Sequence, residues 1–203
     1  MAVGTYAELK ATVKKWLMDN DAVDTSAEEI VIMAQSYLNT VLRCREMVTT
    51  TDLTPSSGEV TLPTDYAAFK KVVELNSFRN PLDYMAPEAT DIRYPNRESG
   101  TPEHFTVWGD TLRAFPTTAN DIELMYYQRL TAFATEGAYD WLLTRYPHVY
   151  VAACKMIAAD LTKNDDDYTK SAQQLADAIE KLNEQDDQNE LIAAPIHNEG
   201  LTP

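Results

Sequence analysis

The sequence predicts a mainly α protein: a four-helix bundle that carries an inserted small antiparallel β subdomain and ends in an extended C-terminal tail. Three observations predict it. Apolar residues recur at spacings of three and four near both ends of the chain. The stretch from about 49 to 130 changes character, to β-branched runs broken by turn residues. Beyond Asp186 the periodicity stops, and Pro195 forbids a continuing helix. The expected division is therefore 1–48 with 131–187 as the bundle, 49–130 as the insert and 188–203 as a C-terminal extension.

Thr5-x-x-Glu8 has the spacing of a capping box and opens the first helix, expected to run to about Asp19. Leu9, Val13, Trp16 and Leu17 share one of its faces. Thr25-x-x-Glu28 and Ser26-x-x-Glu29 offer overlapping caps for a second helix to about Met47. Its apolar stripe reads as Ile30, Met33, Tyr37, Leu38 and Val41, with Arg43 and Arg45 near its end, where cations complement the helix dipole. Thr49-Thr50-Thr51, Val60-Thr61-Leu62, Ala67 to Leu75, Pro81 to Met85 and Ile122 to Tyr127 read as strands. Pro87 to Pro95 has room for a helical turn. Phe105 to Trp108 and Thr111 to Phe115, joined by Gly109-Asp110, give the strongest hairpin signal. Helix resumes at Tyr139 or Asp140, breaks, and restarts from Pro147, whose fixed φ suits a first helical position. Tyr150, Cys154, Ile157, Ala158 and Leu161 lie on one side of that helix. Asp165-Asp166-Asp167 opens the last helix, on which Tyr168, Ala172, Leu175, Ala176, Ile179 and Leu182 form the stripe.

Of 203 residues 44% are apolar and 24% charged, which excludes disorder throughout. Thirty-two acidic residues against 17 basic give a net charge of −15. A chain this acidic is not expected to hold nucleic acid by neutralising phosphates. No run reaches the ~20 apolar residues of a membrane span, and the first residues lack the basic and apolar regions of a secretion signal. Cys44 and Cys154 are far apart and form no paired motif, so neither a disulfide scaffold nor a zinc site is expected.

Candidate chemistry is sparse. His104, His148 and His197 fall in three different regions and in no metal-ligand pair. Cys154 lies on an apolar stripe, where a thiol is inert. Cys44 stands between Arg43 and Arg45, but sequence neighbours on a helix point to different sides. The Asp165–Asp167 run lacks the alternation, glycine and final glutamate of a calcium loop. No phosphate-binding glycine loop or nucleophile elbow occurs. The expectation is a protein without catalysis, cofactor or metal. The oddity is the tail, where Leu191, Ile192, Ile196 and Leu201 follow a strongly acidic helix. Exposed apolar chain of that kind calls for a partner.

Three stretches resemble a known family. They are Tyr126-Tyr127-Gln128-Arg129-Leu130, Tyr139-Asp140-Trp141-Leu142-Leu143-Thr144-Arg145-Tyr146-Pro147-His148-Val149-Tyr150, and Ala158-Ala159-Asp160-Leu161-Thr162-Lys163-Asn164-Asp165. With Leu42 to Met47 and Leu62-Pro63-Thr64-Asp65-Tyr66 upstream, they are similar to the head-to-tail adaptor (connector) proteins of tailed bacteriophages. The resemblance spans about residues 5–187. It implies a virion structural protein at the tail vertex, made in the host cytoplasm, that forms a ring, typically of twelve, under the portal. Its implied partners are copies of itself, the portal protein and a tail or nozzle protein. Double-stranded DNA would pass through the ring without specific binding. On this resemblance the extension 188–203, with Leu191, Ile192, Pro195, Ile196 and Leu201, is the portal-docking candidate. Trp141, Leu142, Tyr146 and Tyr150 are the candidates for a junction between insert and bundle. The alternative is an acidic protein that mimics DNA and blocks a nucleic-acid enzyme. It would need carboxylates along one exposed face, whereas here they are spread over caps and the last helix. A hydrolase built on Cys44 or an aspartate lacks a convergent nucleophile and base.

Overall fold

A computed structural model describes residues 4–16, 23–76 and 79–193 of the chain. Two helices come first, α1 (Tyr6–Trp16) and α2 (Val23–Val41), followed by a 3-10 turn at Arg45–Met47. Then come β1 (Val48–Leu53), β2 (Glu59–Thr61), β3 (Tyr66–Glu74), β4 (Asn80–Pro81), β5 (Asp83–Tyr84) and α3 (Pro87–Arg93). The chain continues through β6 (His104–Trp108), β7 (Thr111–Phe115) and β8 (Ile122–Gln128) to α4 (Trp141–Arg145), α5 (Pro147–Leu161) and α6 (Asp165–Ala193). It divides into two compact units, Met1–Glu46 with Leu130–Pro203, and Met47–Arg129.

In the helical unit, α1 starts on a reciprocal capping box. The Glu8 amide donates to Thr5 Oγ1, and the Thr5 amide donates back to Glu8 Oε2 at 3.2 Å. Tyr6, Leu9 and Val13 form its buried face, and Tyr6 stacks on Phe133 at 5.1 Å. On α2 the buried face is Ala27, Ile30, Val31, Ala34 and Leu38. The expected stripe is corrected here: Met33, Tyr37 and Val41 are exposed. The helix is apolar on two rows, and the row of Ala27, Ile30, Val31, Ala34 and Leu38 is the one turned inward. The helix also stops at Val41, well short of Met47, where Arg43 Nη1 takes up the loose carbonyls of Asn39 and Leu42.

Helix α5 begins at Pro147 and buries Val149, Tyr150, Ala153, Cys154 and Met156. Lys163, at φ 54°, turns the chain into α6. Asn164 Oδ1 accepts the Asp167 amide, so the asparagine caps the helix and the acidic run fills its first turn. Ser171, Leu175, Ala178 and Leu182 are its buried side. The backbone stays helical to Ala193, so the expected break near Asp186 is not there. Gln188, Glu190, Leu191 and Ala193 are good helix formers, and the first strong breaker in the sequence is Pro195.

The second unit overturns the mainly α expectation. It holds two four-stranded sheets, ordered β1-β8-β3-β4 and β2-β7-β6-β5. The protein is not a mainly α four-helix bundle with a small insert. Nor is the insert wholly antiparallel, because β5 pairs β6 in parallel through Asp83↔His104 and Tyr84↔Phe105. Val72, Ile122 and Leu124 from the first sheet and Phe105, Leu112 and Ala114 from the second share one core, so the sheets bury each other's inner faces. The β6–β7 hairpin closes at Gly109-Asp110, with Trp108 opposite Thr111 and Gly109 at φ 57°.

Candidate interaction surfaces

Two polar nodes fix the stretches that carry the resemblance. In the helical unit Asp140 caps α4 by accepting the Leu143 amide at 2.7 Å. Its other oxygen accepts the hydroxyl of fully buried Tyr150, one helix further on. Gln35 on α2 donates to the Tyr150 hydroxyl at 3.3 Å and to the Thr131 carbonyl at 2.8 Å. One carboxylate thus ties α2, α4, α5 and the incoming chain. Burial raises the pKa of Asp140 above its ordinary value, against the hydrogen bonds of Tyr150 and Leu143. Burial and the facing carboxylate push the Tyr150 phenol far up. Of the predicted junction residues, Leu142 and Tyr150 are fully buried in the helical unit, while Trp141 and Tyr146 are half-buried and meet edge to face at 6.4 Å.

In the sheet unit the node is Asp65, in the turn of Leu62-Pro63-Thr64-Asp65-Tyr66. Its carboxylate accepts the Tyr126 hydroxyl at 2.9 Å and the Gln128 amide at 2.7 Å, and its carbonyl accepts the Arg129 amide at 2.7 Å. The two motifs, sixty residues apart, therefore close on each other across β3 and β8. Burial and Asp65 push the Tyr126 phenol up to about 12.

The other singled-out groups hold local roles. Tyr94 and His104 share a hydrogen bond at 2.8 Å, and His148 is exposed beside Tyr146. Cys44 and Cys154 are both buried, and burial pushes the Cys154 thiol up to about 12. Among the described residues no group of three or more His, Cys, Asp or Glu side chains is placed to hold a metal ion, and no helix is long and apolar enough to cross a membrane. Leu191 and Ile192 lie on the last turn of α6. His197, Pro195, Ile196 and Leu201 lie outside the described residues.

The residues that the sequence reading missed are on the outside of the helical unit. Met33, Tyr37 and Val41 form an exposed row on α2, with Glu29 one turn before it. Tyr37 borders a groove of about 570 Å³ that Met156, Tyr168, Leu175 and Ile179 line and Glu180 and Glu184 rim. On the other side of the buried stripe of α6 is a hollow of about 330 Å³ that includes Trp16, Lys155 and Lys170. Lys155 Nζ sits 4.9 Å from the centre of the Trp16 ring. A signal was present in the sequence: apolar residues on α2 fill two rows, and a helix with two apolar rows has two things to face.

A family model described as SU10 adaptor protein matches residues 4–197, covering nearly the whole chain and both compact units. No curated protein matches it.

Proposed function

The chain belongs to the SU10 adaptor protein family, and from that premise we propose that it is a virion structural protein of a tailed phage that works by assembly rather than catalysis. Copies close into a ring of twelve, which docks under the portal and offers its far side to tail or nozzle proteins. The genome passes through the channel. The observation that carries this reading is one family match running from residue 4 to residue 197 through helices, sheets and helices alike. The charge is compatible with it. A net −15 per chain repels phosphates, and a wall that repels DNA lets it slide. The segment 188–203 is the proposed portal-docking element, and Trp141, Leu142, Tyr146 and Tyr150 are the proposed junction.

The deciding experiment mixes the purified chain with the portal protein encoded in the same genome and images the product by cryo-electron microscopy. A ring of this chain seated on the portal is expected, since the portal raises the local concentration of bound copies. A portal that stays bare at every mixing ratio rejects the reading.

A further inference from the structure

We infer that the acid-rimmed groove between α2 and α6 is one half of a head-to-tail contact, and that a second copy fills it with its Trp16–Lys155–Lys170 flank. This inference rests on the ring reading above and supplies its contact surfaces. A ring needs a heterologous interface, with two different patches on each protomer that fit each other rather than themselves. The helical unit carries such a pair. One patch is apolar, with Met33 49%, Tyr37 39%, Val41 40% and Tyr168 42% exposed, and it is edged by Glu29, Glu180 and Glu184. The other joins an aromatic ring to two cations, Trp16 with Lys155 and Lys170. Asp167, which also borders that hollow, is engaged by the Asn164 side chain at 2.7 Å. The two patches lie on opposite sides of the Ser171–Leu175–Ala178–Leu182 stripe that seats α6, so occupying one leaves the other open.

The signs of charge select the occupant. Every copy carries −15, so two copies repel at long range. Contact becomes favourable only where cations of one chain meet acids of the next. The groove excludes its own kind, because acid rim against acid rim repels. It accepts the lysine-bearing flank, whose Trp16 ring is an aromatic anchor of the type that dominates interfaces.

The test exchanges charges on full-length chains. One variant carries Glu180→Lys with Glu184→Lys, and the other carries Lys155→Glu with Lys170→Glu. All four positions are at or near the surface, and circular dichroism confirms that each variant folds. Sedimentation equilibrium is run on concentration series up to the millimolar range that a scaffold imposes locally. The wild type is expected to self-associate. Each variant alone should associate about tenfold more weakly or worse, because both of its patches then carry one sign. A one-to-one mixture of the two should regain association, because both kinds of contact in the mixture pair opposite signs. Wild type and variants associating equally, or a mixture no better than its components, would overturn the assigned patches and leave the ring reading standing. A wild type that stays monomeric across the series, and bare portals in the imaging experiment, would remove both.

Discussion

Tyr150 shows what a single hydroxyl does in this fold. It donates to Asp140 and accepts from Gln35, all inside the helical unit. Tyr150→Phe keeps the ring but leaves one carboxylate oxygen buried without its donor. A loss of about 2–3 kcal/mol in urea unfolding is expected, and Gln35→Leu made with it should cost less than the sum. Asp140 itself gives a pH signature. Its folded pKa is raised, so the stability it contributes is fully present below the unfolded value and is lost as pH rises through the folded one. Asparagine caps equally well and carries no charge. The stability of Asp140→Asn relative to wild type should therefore climb from acid to neutral pH; a flat difference would show that the buried charge costs nothing. A helix start at Tyr139 or Asp140 was legible in the sequence. The partnership of Asp140 with a residue on the apolar stripe of another helix was not, because a tyrosine in a stripe reads as bulk.

Among elements, the legible parts are those governed by neighbours in sequence. The Thr5–Glu8 box, the Pro147 start and the Gly109-Asp110 turn are all decided within four residues. Two glycines allow this to be measured. Gly109 has φ +57° with nothing within 4 Å of an added Cβ, so Gly109→Ala should cost only the conformational penalty, about 1 kcal/mol. Gly58 has φ +80°, and an added Cβ would lie 2.9 Å from Thr117 Cβ and Cγ2 and 3.0 Å from its Cα. Gly58→Ala should cost clearly more, read as the larger fall in urea midpoint at an unchanged slope. Equal falls would mean that Thr117 gives way. What was misread is also instructive. On α2 Ile30 and Leu38 of the expected stripe are buried, together with Ala27, Val31 and Ala34, whereas Met33, Tyr37 and Val41 face outward. Side-chain size does not reveal which row faces the neighbour when both rows are apolar.

At the scale of the molecule, the four-helix reading failed because sheets are built from distant pairs. β1 finds β8 some seventy residues later, and β5 lies parallel to β6, a pairing for which no local pattern exists. Single strands, among them nine-residue β3 and seven-residue β8, were legible from their β-branched runs, but nothing within a strand names its partner or the number of sheets. The tail boundary failed differently. Helix α6 continues to Ala193, eleven residues past buried Leu182. Removal of residues 188–203 leaves Ser171, Leu175, Ala178 and Leu182 of the buried side of α6 in place, so it tests the proposed docking element. Ending the chain at Asp187 should leave unfolding within about 0.5 kcal/mol of wild type, the range of changes that touch no core. Portal attachment, followed by co-sedimentation, should fall about tenfold or more, equivalent to ~1.4 kcal/mol. Leu191→Glu with Ile192→Glu in the full-length chain should weaken attachment in the same direction without shortening the helix. If both variants attach as wild type does, the docking role belongs to another surface of the chain; if the truncated chain unfolds early, the last turns of α6 are structural.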